Sequence, residues 1–261
     1  MTTVPRAAAL LACLILAAGC GDSGSDSPTA PSPGSPSPAP SPPATVAGAL
    51  QLLATKAVYF GHQSVGSNIM TGVQALIAAN PGAAPRVVGS SSPSAVAAGV
   101  FAHGSNGSNG NPAGKNDAFA DTMQRGMGGV VDIAFFKYCY VDVTRSSDAA
   151  ALFDDYRWHM AALRASYPRV RFVHVTVPLT TGSSLDNEVR ERLNGLMRQT
   201  YSGVEPLFDL AVVESTAPDG TTVLVAGVRA LAPAYSSDGG HLNAAGQEAV
   251  ARALLLYLAS L

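Results

Sequence analysis

The stretch Val58-Tyr59-Phe60-Gly61-His62-Gln63-Ser64-Val65-Gly66-Ser67-Asn68 sets the architecture of this chain. A short apolar run, Val58 to Phe60, reads as a buried strand. It is followed by a glycine-bounded turn and then a helical pattern from about Gly66 to Ala79, which stops at Asn80-Pro81. The same alternation continues down the chain. Strands are expected at Arg86 to Gly89, Val130 to Phe136 and Val170 to Val177. Helices are expected near Asp117 to Arg125, Ser147 to Tyr167, Asp186 to Tyr201 and Ala244 to Ala259. Continuous apolar strands separated by helices imply an α/β fold with a parallel sheet covered on both faces. The stretch from Ser90 to Asn116 reads as loop, with a Gly/Asn-rich centre from His103 to Pro112.

In such sheets sites lie beyond the carboxyl ends of the strands. Ser64 falls at one of these ends, in a strand-to-helix turn that exposes its hydroxyl and sets backbone N–H groups beside it. That suits a nucleophile and an oxyanion donor, although serine also occurs at such turns as a helix cap. Near the other end of the chain runs Ser236-Ser237-Asp238-Gly239-Gly240-His241-Leu242-Asn243-Ala244-Ala245-Gly246. A histidine just before a helix, with an aspartate three residues earlier, can take a serine proton while the carboxylate fixes its tautomer. The alternative is a solvated Asp238 and an unrelated His241 ahead of Asn243 as N-cap.

Together the two pieces resemble the SGNH or GDSL hydrolase superfamily, whose last block reads D-x-x-H-L-N-x-x-G. The resemblance extends from Val58 to about Leu258 and implies Ser64 as nucleophile, His241 as general base and Asp238 as its orienting partner. It also implies a three-layer α/β/α sandwich with a parallel sheet, of flavodoxin-like type, and ester hydrolysis without a cofactor. Chain order separates this pattern from the α/β-hydrolases, in which the serine sits mid-chain and acid and base lie far apart in sequence. Two blocks depart from the family. His62-Gln63-Ser64 replaces Gly-Asp-Ser, and Cys139 and Val141 stand where a glycine and an oxyanion-binding asparagine are expected. The Ser64 amide, Gly107 and the Asn109 carboxamide are therefore the candidate oxyanion donors, with Asn106 and Asn111 in the same loop. His62, Gln63, Lys137 and Tyr138 are candidate substrate contacts. Cys139 reads as a core thiol. His103, His159 and His174 lack metal-ligand spacing, so no metal is expected.

The first residues concern location. Arg6 precedes an apolar run from Ala7 to Ala18 that closes on Leu16-Ala17-Ala18-Gly19-Cys20. The run falls short of the roughly 20 residues of a membrane span and reads as a signal peptide over residues 1–19. Its end resembles a bacterial lipobox with Cys20 as the lipidated residue, although Ala17 holds the place where many lipoboxes carry Leu. Residues 20–44 are almost wholly Gly, Ser, Asp, Pro, Thr and Ala, a spacer without apolar surface to offset its ordering entropy. The Gly21-Asp22-Ser23 within it spells the family's serine block by chance, since a nucleophile needs a rigid setting. Residues 45–261 suffice for one domain. A net charge of −2 without a basic cluster argues against nucleic acid as a partner.

The expected protein is thus a cell-envelope lipoprotein, anchored to the membrane through its N-terminal lipid. Its expected chemistry is hydrolysis of short-acyl esters, O-acetyl groups on carbohydrate being the class the resemblance favours. A lipase or lysophospholipase on the same fold and a non-catalytic glycan-binding lipoprotein are the alternatives.

Overall fold

Strand β1 (Ala57–His62) is buried along its whole length and lies in the interior of the central sheet. The computed structural model describes residues 43–182 and 184–261, which fall in one compact unit. The expected signal peptide over residues 1–19, Cys20 as the expected lipidated residue, and the expected spacer up to residue 42 lie outside the described residues. Strands β2 (Arg86–Gly89), β3 (Val100–Ser105), β4 (Ile133–Phe136), β5 (Arg171–Val175) and β6 (Leu207–Phe208) join β1 in the order β2-β3-β1-β4-β5-β6. Every pair in this sheet is parallel.

The alternation of side chains along β1 builds two cores. Val58 and Phe60 point into one cluster and Ala57 and Tyr59 into the other. The first cluster is closed by α1 (Val46–Leu53), α2 (Val65–Ala79), α6 (Leu210–Ser215) and α7 (Ala244–Leu258). The second is closed by α3 (Pro112–Gln124), α4 (Ala149–Ser166) and α5 (Ser184–Tyr201). This is the three-layer α/β/α sandwich with a parallel sheet that the alternation of elements implies. A small antiparallel hairpin, β7 (Leu224–Val225) with β8 (Val228–Arg229), completes the described residues. No helix among them is long and apolar enough to cross a membrane.

Several boundaries differ from the expectation. The stretch read as loop from Ser90 to Asn116 contains β3, whose outer half is His103-Gly104-Ser105, and α3 starts at Pro112 instead of Asp117. The early start has a local cause, because the Asn111 side chain caps the helix by accepting from the Gly114 N–H at 3.0 Å and Pro112 is pre-set for the first turn. β4 begins at Ile133, after a short 3-10 turn over Met127–Gly129. Helices α1 and α6, strand β6 and the hairpin were not anticipated.

Helices α2 and α7 are in close contact at Gly72, where a Cβ would lie 2.2 Å from the Gln247 carbonyl oxygen. That oxygen belongs to the backbone of α7 and cannot turn aside. Gly72→Ala should therefore force the helices apart at a cost of about 3 kcal/mol or more, measured by urea unfolding. The strain would fall between the Ser64 turn, where α2 starts, and His241-Leu242-Asn243, directly before α7.

Candidate active site

The carboxyl end of β1 is where the strand order reverses, with β3 on one side and β4 on the other. Ser64 stands there as the N-cap residue of α2, at φ 49 and ψ −110. This positive-φ conformation lies outside the left-handed helical region and is rare for any residue with a Cβ, and it costs on the order of 1–3 kcal/mol. The Ser64 side chain makes no capping hydrogen bond. Its Oγ lies 2.6 Å from His241 Nε2 instead. A helix-capping serine would turn its hydroxyl toward its own helix, so the capping alternative does not fit.

His241 Nδ1 lies 2.7 Å from Asp238 Oδ2. The other Asp238 oxygen accepts the backbone N–H groups of Gly240 at 2.9 Å and His241 at 2.8 Å. These two amides, and then the imidazole, hold the Asp238 carboxyl well below the usual carboxylate range. In a neutral imidazole an ionised Asp238 favours the tautomer protonated at Nδ1, which leaves Nε2 as an acceptor toward Ser64 Oγ. The loop is pinned by its own serine, as Ser236 Oγ donates to the His241 carbonyl at 2.7 Å and accepts from the Gly239 N–H at 3.0 Å. Asn68, one turn into α2, accepts the Leu242 N–H at 3.3 Å. Asn243 Oδ1 caps α7 through Gly246 N–H at 3.1 Å. The cap and the histidine thus coexist in one loop. The side chains of His241 and Asp238 remain 44% and 57% exposed.

The second and third walls come from the loops after β3 and β4, and both are tied to Gln63. Gln63 Nε2 donates to the Gly107 carbonyl at 2.8 Å, and Cys139 Sγ donates to the Gln63 carbonyl at 3.4 Å. Gly107 has φ 61, and a Cβ there would lie 2.8 Å from Lys115 Cγ, so this position demands glycine. The N–H groups of Ser64 and Gly107 make no hydrogen bond to other described residues. Asn109 is exposed, with Oδ1 accepting from Lys115 Nζ at 3.0 Å. Asn106 is buried and donates to the Lys115 carbonyl at 3.0 Å, and Asn111 caps α3.

Three expected substrate contacts are corrected by burial. His62 is packed under the turn, with Nε2 at 2.9 Å from His103 Nδ1. A Cβ at Gly66 would lie 2.3 Å from its own Cβ. Burial, with His103 and Lys137 nearby, pushes the His62 pKa down to about 3, so the ring is neutral. Lys137 is also buried, its ammonium turned to the Tyr138 carbonyl at 3.2 Å and Cys139 Sγ at 3.3 Å. Tyr138 is buried and donates to Asn116 Oδ1 at 2.6 Å. All three support the loops from beneath. Gln63 is half-buried, and its amide is engaged by Gly107.

Tyr140 was not anticipated. Its ring meets His241 edge-on at 5.7 Å between centroids, and a Cβ at Gly240 would lie 2.8 Å from its Cζ. Behind it the buried Arg190 donates from Nε to the carbonyls of Tyr140 and Val143, each at 3.0 Å. The only sequence signal for this contact is Gly240 itself, a glycine with no turn requirement of its own.

No family model matches the chain, and no curated protein matches it. Solved structures do. A Bacteroides fragilis protein described as an acylhydrolase is 11% identical over 76% of this chain and 83% of its own, with a TM-score of 0.50. A GDSL-like lipase from Bacteroides thetaiotaomicron is 10% identical over 78% of this chain and 86% of its own, with a TM-score of 0.47. The C-terminal catalytic domain of a Streptococcus pneumoniae peptidoglycan O-acetyltransferase is 11% identical over 77% and 91%, with a TM-score of 0.43. The chain has the SGNH/GDSL-like hydrolase fold.

Proposed function

We propose that this protein is a serine esterase of the cell envelope that removes short acyl groups, O-acetyl above all, from carbohydrate. The observation that carries the reading is the unbroken run of hydrogen bonds from Ser64 through His241 to Asp238, at 2.6 Å and 2.7 Å. Ser64 Oγ attacks the ester carbonyl carbon while His241 Nε2 takes its proton. Asp238 stabilises the imidazolium that forms and holds the ring in place. The negative charge on the carbonyl oxygen is met by the N–H groups of Ser64 and Gly107 and the Asn109 carboxamide. His241 then delivers the proton to the leaving alcohol, and water cleaves the acyl-serine by the same route. The exposure of His241 and Asp238 favours an ester displayed on a polymer over one that must be drawn into an enclosed channel. The lipobox-like start and the Pro/Ser spacer support a tethered position outside the cytoplasm.

The purified protein should release acetate from an O-acetylated polysaccharide and cleave p-nitrophenyl acetate faster than the octanoate or palmitate esters. It should also be labelled at Ser64 by a fluorophosphonate probe. Faster turnover of the long-chain esters would move the reading to a lipase, and a folded protein that resists the probe would leave a glycan binder.

A further inference from the structure

The loop after β4 lacks the asparagine that the SGNH resemblance places there, with Val141 in its position, yet it carries a charged device of its own. Lys115, on α3, and Asp142 have side chains with 0% exposure, and Lys115 Nζ lies 2.5 Å from Asp142 Oδ2. The same carboxylate oxygen accepts the Cys139 N–H at 2.5 Å, and Oδ1 accepts the Gly110 N–H at 2.7 Å. Asp142 thereby stitches the loop after β3 to the loop after β4. Lys115 Nζ makes a second contact, to Asn109 Oδ1 at 3.0 Å.

That second contact fixes the sense of the carboxamide. An ammonium has donors only, so the oxygen of Asn109 must face Lys115 and its NH₂ must face away. A buried ion pair is weak evidence of stability, because taking two charges out of water costs several kcal/mol per ion and apolar residues of the same volume often serve as well. What apolar residues cannot do is orient an amide. We propose that the buried Lys115–Asp142 pair positions Asn109 as the side-chain donor to the oxyanion, replacing the asparagine absent at Val141; this rests on the esterase reading above. Lys115 and Asp142 are positioning residues that act through Asn109.

A double-mutant cycle on the full-length protein tests this with p-nitrophenyl acetate. Asn109→Ala alone should lower kcat about 10²-fold, the usual cost of one oxyanion donor. Lys115→Met combined with Asp142→Asn removes both charges together and should lower kcat at least about tenfold with KM within about threefold, because the loss falls on the transition state. Adding Asn109→Ala to that pair should then cost less than about threefold more, since the donor is already misplaced. A pair variant that keeps more than half of the wild-type kcat overturns the inference. So does Asn109→Ala costing the same in both backgrounds, which would mark the pair as purely structural. If the pair variant does not fold, Asp142→Asn alone, of the same shape, takes its place in the cycle with the same two outcomes. Failure of the esterase reading shows elsewhere, in a wild-type protein that neither turns over the ester nor reacts with a fluorophosphonate, and it overturns the inference as well.

Discussion

Ser64→Ala should lower kcat by about 10⁴-fold or more while leaving the unfolding transition in place, as expected when the nucleophile of a serine-histidine-aspartate unit is removed. His241→Gln should cost about as much, and combining the two should cost little more than either, because residues that act as one unit are strongly non-additive. The reason lies in the geometry of the turn. Ser64 holds φ 49 without a capping bond, so its hydroxyl serves no local structural purpose that alanine would abolish. Steady-state kinetics on p-nitrophenyl acetate measure the loss, and near-UV circular dichroism monitors the fold. A Ser64→Ala protein that keeps a tenth of the wild-type rate would exclude Ser64 as nucleophile.

Glu214→Gln should stabilise the protein by several kcal/mol at pH 8 and by little at pH 4.5. Glu214 lies in α6, fully buried, with Oε1 accepting the Leu179 N–H. Burial pushes its pKa up to about 8 from an ordinary 4.5, against the opposing pull of that N–H, Lys137 and Arg190. Between these two values the native chain holds a proton that the unfolded chain has already released. Wild-type stability therefore falls as pH rises from about 4.5 to 8 and levels off above, a loss on the order of 3–5 kcal/mol from this group. Glutamine keeps the acceptor for Leu179 and cannot ionise. Urea midpoints of both proteins at the two pH values give the difference, in which every other titrating group cancels. Parallel slopes with pH would show that Glu214 is ionised in the native state throughout.

The sequence disclosed those parts of the molecule that are written locally. Helices α2, α4 and α7 were legible because each carries a long apolar face, and β2 because Arg86 to Gly89 is bounded by turn residues. Strand β3 was not, because only Val100 to Ala102 are apolar. Its outer half is held by the His62–His103 contact and by Gly104, where a Cβ would lie 2.1 Å from Ser91 Oγ. Ser64, Asp238 and His241 were legible because turn, loop and helix start each have a short spelling. Lys115 and Asp142 were not. A lysine in a helix reads as a solvent-facing charge, and its partner stands 27 residues away in a different loop. Tyr140 escaped for the same reason, since nothing near it in sequence announces His241.

Ser64 and His241 are separated by 177 residues, so a ribosome finishes one long before it makes the other. A nascent chain interrupted anywhere before Asp238 lacks the Ser64–His241 contact altogether, because contacts this distant in sequence form only once the whole length between them has been made and folded. On the esterase reading, competence thus waits for the segment that carries Asp238 and His241, and a chain stalled before it holds a serine without its base.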